Sequence, residues 1–197
     1  MSIRKLLLLA GMALVAVAVA APVAAQANPK WFNAETEEFF AEEVHTELHA
    51  VGELTLTSGN LVVGPCSVTA IGLAENNNAM ASGTITNVTG AKECPTNRAG
   101  CTATPTYEGL PWEVTGTTKI TGSGSGVEIK GISLSTHFDG TCELPVTTIV
   151  TTGTATPINC VPECLTFDTH ADDLTALGFV PADLGGTFTF TNPLAMK

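Results

Sequence analysis

The stretch EVTGTTKITGSGSGVEIKGISLST, residues 113–136, shows the pattern that decides the fold class. Thr, Val and Ile recur in two short alternating runs, and the glycine-rich segment GSGSG lies between them. Such runs favour strands, and a glycine-rich break between two of them is typical of a hairpin turn. Gly131 interrupts the alternation between Ile129 and Ile132. This predicts a β-bulge, because a glycine there lets two residues face one on the partner strand.

Similar short runs fill the chain beyond residue 50, from ELTLT at 53–57 to GGTFTFTN at 185–192. Turn-forming residues separate them, and they predict about nine or ten strands. Strands do not alternate with long helical patterns, so a parallel sheet is not expected. The sequence therefore predicts an all-β domain, an antiparallel β-sandwich or flattened barrel with one or two short helices.

Residues 34–51 fit two patterns. Apolar residues from Phe40 to Val51 follow a spacing that would line one face of a helix, but from Val44 onward they also alternate as in a strand. We expect a short helix or an extended lead-in to about Glu43, followed by a long first strand.

THADDLTALG, residues 169–178, carries the start and stop signals of a short helix. Thr169 is followed three positions later by an acid, which fits a capping pattern, and Gly178 lies where a helix commonly ends. Four residues here also have the composition of a cation site: Asp168, His170, Asp172 and Asp173. The glutamate position of an EF-hand loop would fall on Phe179. We therefore assign these acids to the helix start.

The first 27 residues have the features of a secretory signal peptide. Arg4 and Lys5 precede the uncharged run LLLLAGMALVAVAVAA, and small residues follow it. This run is shorter than the ~20 residues that a membrane-spanning helix needs. We expect cleavage after Ala25 or Ala27, with Ala27 preferred. Residues 28–197 would then form a single secreted domain with no stable membrane span.

The predicted mature domain is strongly acidic. Loss of Arg4 and Lys5 leaves six of the eight basic residues against 19 acidic ones, a net charge of −13. This charge repels nucleic acid and anionic membrane surfaces. A nucleic-acid partner is therefore not expected.

The chain contains six cysteines: Cys66, Cys94, Cys101, Cys142, Cys160 and Cys164. An even number in an exported chain predicts three disulfides. The closest spacings, Cys94 to Cys101 and Cys160 to Cys164, do not match a zinc site. We favour a bridge between Cys94 and Cys101 around PTNRAG, with two further bridges among the other four cysteines.

HTELH at 45–49 is the cluster most suggestive of a metal site. On a helix, His45 and His49 would lie one turn apart and could share a metal ion. On a strand they would lie about 13 Å apart at ~3.3 Å per residue, so only Glu47 with one of the histidines could chelate. We expect a solvated strand face. The alternative is a metal-dependent hydrolase that uses this cluster or His137.

Other patterns do not predict catalysis. His137 and Asp139 precede Gly140 in STHFDG, and turns collect Asp and Gly for backbone reasons alone. GSGSG does not match a dinucleotide-binding loop or a nucleophile elbow. We expect a protein that is not an enzyme and uses no cofactor.

One of the two tryptophans lies in TYEGLPWEVTG, residues 106–116. Pro111 lacks an N–H group, so it suits the beginning of a strand. Trp112 and Val114 would then share one face of that strand. This predicts an indole in the core rather than on a ligand-binding surface.

GELTLTSGNLVVGPCSV at 52–68, GLPWEVTG at 109–116 and VEIKGISLSTHFDGTC at 127–142 resemble, in this order, small exported bacterial all-β proteins, many of them actinobacterial. Some members are described as protein activators of alkane oxidation, and many others have no known role. The resemblance covers about residues 52–165 and depends on Cys66 and on the LPW and Gly-Thr-Cys motifs. It implies an exported, non-catalytic β protein linked to apolar substrates.

These features together predict a secreted or cell-surface, disulfide-stabilised β-sandwich with a non-catalytic binding or structural role. One alternative is a carrier of an apolar small molecule, which requires a dry cavity of ~300 Å³ or more. The other is the metal-dependent hydrolase. The expected ligand is an apolar molecule or a component of the cell envelope.

Overall fold

A computed structural model describes the chain from residue 28 to residue 196 with short gaps. The described ranges are 28–42, 44–78, 80–117, 126–144, 146–161, 166–191 and 194–196. The predicted signal peptide lies outside them. Twelve strands are present: β1 (Trp31–Asn33), β2 (Thr46–Ser58), β3 (Leu61–Asn77), β4 (Met80–Gly90), β5 (Cys94–Pro95), β6 (Cys101–Glu108), β7 (Trp112–Thr117), β8 (Gly126–Gly140), β9 (Thr148–Val161), β10 (Thr166–Ala176), β11 (Val180–Phe190) and β12 (Leu194–Met196).

Ten of these strands, β2 to β11, form one antiparallel sheet that closes on itself. Around the ring the order is β7, β4, β3, β2, β11, β10, β9 and β8, and β8 pairs again with β7. The second half of β8 pairs with β6, which in turn pairs with β5. The predicted all-β antiparallel fold is confirmed, and the β8–β9 pairing closes the sheet.

The hairpin predicted from residues 113–136 is confirmed. β7 and β8 pair from Glu113 opposite Lys130 to Thr117 opposite Gly126, while residues 118–125 lie outside the described part of the chain. The bulge at Gly131 is also confirmed, because the register of β8 against β9 shifts at this glycine, whose φ is 75°. The bulge lies where the partner of β8 changes from β7 to β6.

Neither predicted helix is present in the described residues. Residues 34–42 form a turn and an extended lead-in with isolated bridges, and the expected long strand follows as β2, which begins at Thr46. The helix predicted over 169–178 is wrong: this segment forms β10, which pairs with β9 on one side and β11 on the other. Pairing on both edges satisfies the backbone of β10 and overrides the local capping signal. The two central acids fall in a bulge between Ala171 and Leu174, and Gly178 lies in the following turn.

Trp112 is a core residue, as the alternation with Val114 predicts. Both side chains face the interior of the ring, and Trp112 is 7 % exposed. The indole N–H donates to the carbonyl of Glu108 at 2.9 Å, which satisfies its polar atom. The ring of Tyr107 packs against the indole, with 6.3 Å between centroids.

Two disulfides connect the sheet. Cys66 of β3 bonds to Cys94 of β5, and Cys101 of β6 bonds to Cys142, which follows β8. The favoured bridge between Cys94 and Cys101 is therefore wrong. In the sheet register Cys94 lies opposite Ala103 rather than Cys101.

The two remaining cysteines, Cys160 and Cys164, lie outside the part of the chain whose side chains the structure describes. The backbone of Cys160 belongs to β9, but its side chain and the whole of Cys164 lie outside the described residues. The third predicted disulfide therefore stays a prediction.

We predict that Gly72→Ala will lower the free energy of unfolding by about 3 kcal/mol. A Cβ atom at Gly72 would collide with the backbone carbonyl oxygen of Thr84, so β3 and β4 would have to separate. Urea denaturation measures the loss. Gly59→Ala is the control, because no atom lies within 4 Å of that Cβ and only its φ of 57° opposes the change, at a cost of ~1 kcal/mol. Equal stability of the two variants would contradict the prediction.

Candidate functional site

An apolar cavity of about 100 Å³ lies inside the ring of strands. Seventeen of the residues whose side chains the structure describes line it, and every one of these is apolar. Among them are Ala50 and Ala70, which lie opposite each other on β2 and β3, and Ala155 on β9. Small side chains at these inward positions leave space that larger neighbours do not fill. A cavity without polar lining groups offers no partner to water and stays dry.

Trp31 closes the cavity from outside the sheet. Of the lining residues that the structure describes, it is the only one that does not belong to the ten-stranded sheet. It is 1 % exposed, and its indole N–H donates to the carbonyl of Ser82 at 2.8 Å. The ring meets Phe190 edge-on, with 5.9 Å between centroids. Trp31 therefore belongs to the interior, although it lies on the short strand β1.

The side chain of Asn76, at the end of β3, holds the backbone of Trp31 in place. Its amide oxygen accepts from the Trp31 N–H at 2.8 Å, and its amide nitrogen donates to the Trp31 carbonyl at 2.9 Å and to the Phe40 carbonyl at 3.0 Å. Asn76 is 1 % exposed, so these three bonds satisfy an amide that water cannot reach. Residues 29–40, which we call the N-terminal arm, are thereby attached to the barrel.

Proline packing supports the same attachment. The carbonyl of Pro29 accepts from the Ala81 N–H at 2.7 Å, and Pro29 is fully buried. Gly116 on β7 makes room for it, because a Cβ there would lie 2.9 Å from the Pro29 ring. The arm is thus fitted to the end of the ring where β3 ends and β8 begins.

With Trp31 in place, the cavity is smaller than the ~300 Å³ of a typical ligand pocket. A dry cavity of ~150 Å³ in another protein admits benzene or xenon. The closed interior therefore has room for only a very small apolar molecule.

The candidate metal ligands of HTELH are divided between two separate side-chain contacts. Glu47 and His49 project outward from β2 and contact each other at 2.6 Å, as next-but-one neighbours on a strand do. His45 precedes β2 and contacts Glu75 at 3.1 Å instead. All of these contacts are at the surface. Among the described residues, no three His, Cys, Asp or Glu side chains are grouped as a metal site.

His137 lies between Asp139 and Thr148 on the outer face of the barrel. Its ring nitrogens are 3.5 Å from an Asp139 carboxylate oxygen and 3.1 Å from the Thr148 hydroxyl. These residue types occur in hydrolytic triads, but the Asp139 contact is longer than a good hydrogen bond, and the side chains of His137 and Asp139 are both more than half exposed. None of the three lines the interior cavity.

The four residues with the composition of a cation site, which we assigned to a helix start, lie on the strand β10 instead. Their side chains lie outside the described residues: Asp168, His170, Asp172 and Asp173.

Sequence reasoning missed Trp31 and Asn76, the two residues that define the arm. A signal was present for the first, because PKWF at 29–32 holds one of only two tryptophans and directly follows the predicted cleavage site. Asn76 lies in ENNNA, residues 75–79, which has the composition of a surface turn. Nothing in that composition indicates which asparagine is buried.

Comparisons with known proteins identify no relatives of this chain. No protein-family model matches it, and neither does any curated protein or solved structure. The resemblance to the exported bacterial β proteins therefore stays a prediction. Within the described part of the chain, no helix has the length and apolar character required to cross a membrane.

Tyr107 beside Trp112 is the only tyrosine of the chain, and burial raises its pKa to about 12. We predict that its phenolate absorbance will appear only near pH 12 in the folded protein and near pH 10 after unfolding. Because the folded pKa is the higher one, full stability is retained below pH 10. About 3 kcal/mol is lost as the pH rises through 12.

Absorbance titration at 295 nm and urea denaturation between pH 9 and 12 test this prediction. Tyr107→Phe is the control and should remove that part of the alkaline loss of stability. A folded-state titration near pH 10 would refute it.

Proposed function

We propose that this protein is a secreted or cell-surface β protein, stabilised by disulfides, whose role is to bind rather than to catalyse. The interior cavity is the observation on which the binding role rests. The lining residues that the structure describes include no acid, base or nucleophile, so this part of the lining can accept an apolar ligand but supplies none of the groups that catalysis requires.

The extracellular location is supported by the two disulfides. Such bonds persist in oxidising compartments and are rare in the cytosol. Each one joins segments far apart in the sequence, with separations of 28 and 41 residues. The features of residues 1–27 agree with export.

A more specific candidate function is the binding of a small apolar molecule inside the ring. The apolar side chains that the structure describes around the cavity favour this candidate over a polar or cell-envelope ligand, because a polar group placed against them would lose its hydrogen bonds to water. It also agrees with the link to apolar substrates that the family resemblance implies. The hydrolase alternative gains no comparable support from the surface pairs around His49 and His137.

We predict that the double variant Cys66→Ala/Cys94→Ala will lower the free energy of unfolding by about 4 kcal/mol, because the bridge restricts the unfolded chain. Urea denaturation with and without reductant measures this effect. Reductant should weaken the wild type more than the variant, because the variant already lacks the Cys66–Cys94 bridge.

Thiol labelling of the wild-type protein, taken from cells before any oxidation in vitro, tests its location. We expect the four cysteines of the two described bridges to react with a maleimide only after reduction, and we expect the protein outside the cytosol. Reduced thiols in cytosolic material would contradict the proposed location.

We predict that xenon will enter the closed cavity. NMR spectra of methyl groups under xenon pressure should show shifts confined to lining residues such as Val68 and Val114. Ala70→Leu fills the cavity and should weaken xenon binding about tenfold or more. The matched control is Thr69→Leu, which adds a similar side chain at the neighbouring position with the opposite orientation on β3. Unchanged spectra of the wild type under xenon would refute apolar binding in the closed ring.

A further inference from the structure

We propose that Trp31 is a built-in occupant of the ligand site, and that a larger apolar ligand binds by displacing the N-terminal arm. This inference rests on the proposed apolar-binding function. It identifies the end of the ring at which a ligand enters, names Trp31 as the side chain that competes with it, and defines the class of ligand.

The arm is a structural unit separate from the ten-stranded sheet. Its strand β1 pairs with β12 in a small sheet of its own. The arm also folds back on itself: the Asn33 N–H donates to the Glu38 carbonyl at 2.9 Å, and Phe32 forms a bridge and an edge-on ring contact with Phe39. Because the β1–β12 ladder is separate from the main sheet and the other contacts lie within the arm, the arm can move away together with β12 without breaking the ladder of the main sheet.

Side chains, rather than a strand ladder, connect the arm to the cavity. Asn76 supplies three hydrogen bonds to arm backbone, and the Trp31 indole supplies one to Ser82. The Pro29 carbonyl adds a bond to Ala81. Three of these five described bonds go to one asparagine, so removal of that side chain should loosen the arm selectively.

The opposite end of the ring is cross-linked and filled. On β3, Cys66 lies ten residues before Asn76, about 33 Å away at ~3.3 Å per residue. The Cys66–Cys94 bridge joins β3 to β5 there, and the interior next to it has a void of only about 20 Å³. The second bridge ties β6 to the segment after β8. Entry is therefore expected at the arm end, where neither of the two described disulfides lies.

The ligand class follows from the space that Trp31 occupies. When the indole leaves, its place joins the cavity of about 100 Å³ as one apolar volume. This combined space fits an uncharged aromatic or hydrocarbon molecule that is larger than the closed cavity admits. An anionic amphiphile is disfavoured, because the predicted mature chain carries a net charge of −13.

The test uses N-phenyl-1-naphthylamine, an uncharged fluorophore whose emission rises in apolar surroundings. Its naphthyl ring is similar in size to an indole, and its phenyl ring extends beyond it. Asn76→Ala should strengthen binding about tenfold, because a larger fraction of molecules then has the arm open. Trp31→Ala should strengthen it at least as much, because the competitor is absent.

Asn97→Ala is the matched control. Asn97 also bonds to backbone through its side chain, accepting from the Val62 N–H at 3.0 Å and donating to the Asn60 carbonyl at 2.8 Å, but it lies at the cross-linked end. We expect no change in probe affinity for this variant. Circular dichroism confirms that each variant is folded.

A second measurement follows the arm without any ligand. In a Trp112→Phe background Trp31 is the only tryptophan, and acrylamide quenching of its fluorescence reports exposure. Quenching should rise with Asn76→Ala and stay unchanged with Asn97→Ala.

The outcomes separate this inference from the proposed function. Equal probe affinity in the wild type, Asn76→Ala and Trp31→Ala would overturn the inference, and xenon binding would still support the function. Equal acrylamide quenching of Trp31 fluorescence in the Trp112→Phe protein and in the same protein with Asn76→Ala would also overturn the inference. If neither xenon nor the fluorophore binds any variant, the binding function and the inference both fail.

Discussion

The pairing of β8 with β9 closes the ten-stranded sheet, and the remaining features of the molecule depend on this closure. An open sheet would present edge strands with unpaired backbone groups, whereas a ring satisfies them within the chain. Closure also turns one face of every strand toward a shared interior, so alternation along each strand becomes a division between core and surface. The bulge at Gly131 belongs to this arrangement. It lies where β8 stops pairing with β7 and begins pairing with β6, so it adjusts the strand at the point where its neighbour changes.

The interior of the ring is filled unequally along its length. At the disulfide end, side chains such as Leu56, Val63 and Leu134 leave little void. At the other end, the facing alanines Ala50 and Ala70 leave a gap that strands of the sheet do not fill. The chain closes this gap with an indole from outside the sheet, and the polar atoms of the connecting backbone are matched by one buried amide. Both tryptophans are therefore interior residues, but only Trp112 is part of the sheet.

The features that could be predicted from sequence are those encoded by neighbouring residues. Strand alternation, the β7–β8 hairpin, the Gly131 bulge and the burial of Trp112 each follow from a few consecutive positions. The features that could not be predicted depend on pairing between distant segments. β10 carries a local helix signal that two flanking strands override, and the cysteine pairing depends on the register of β5 and β6 against their neighbours. Trp31 and Asn76 are 45 residues apart in the sequence, and neither segment has a hydrophobic pattern that predicts their contact.

The free-energy terms for and against replacement of Trp31 by a ligand are of similar size. Burial of an indole removes ~150–250 Å² from water, and an aromatic or hydrocarbon ligand of similar size gains a similar free energy in the same place. Replacement of the indole by the ligand therefore changes the hydrophobic free energy little.

The residual cavity of about 100 Å³ favours the ligand, because a ligand that also fills this cavity gains contacts that are missing when Trp31 is in place. At ~24 cal/mol per Å³ of cavity, this difference is about 2 kcal/mol in favour of the ligand. The hydrogen bonds of Asn76 oppose it by a comparable amount, at ~1 kcal/mol each. Because these opposing terms are of similar size, Trp31 can occupy the cavity in the absence of a ligand and can be displaced by a ligand that fills the whole space.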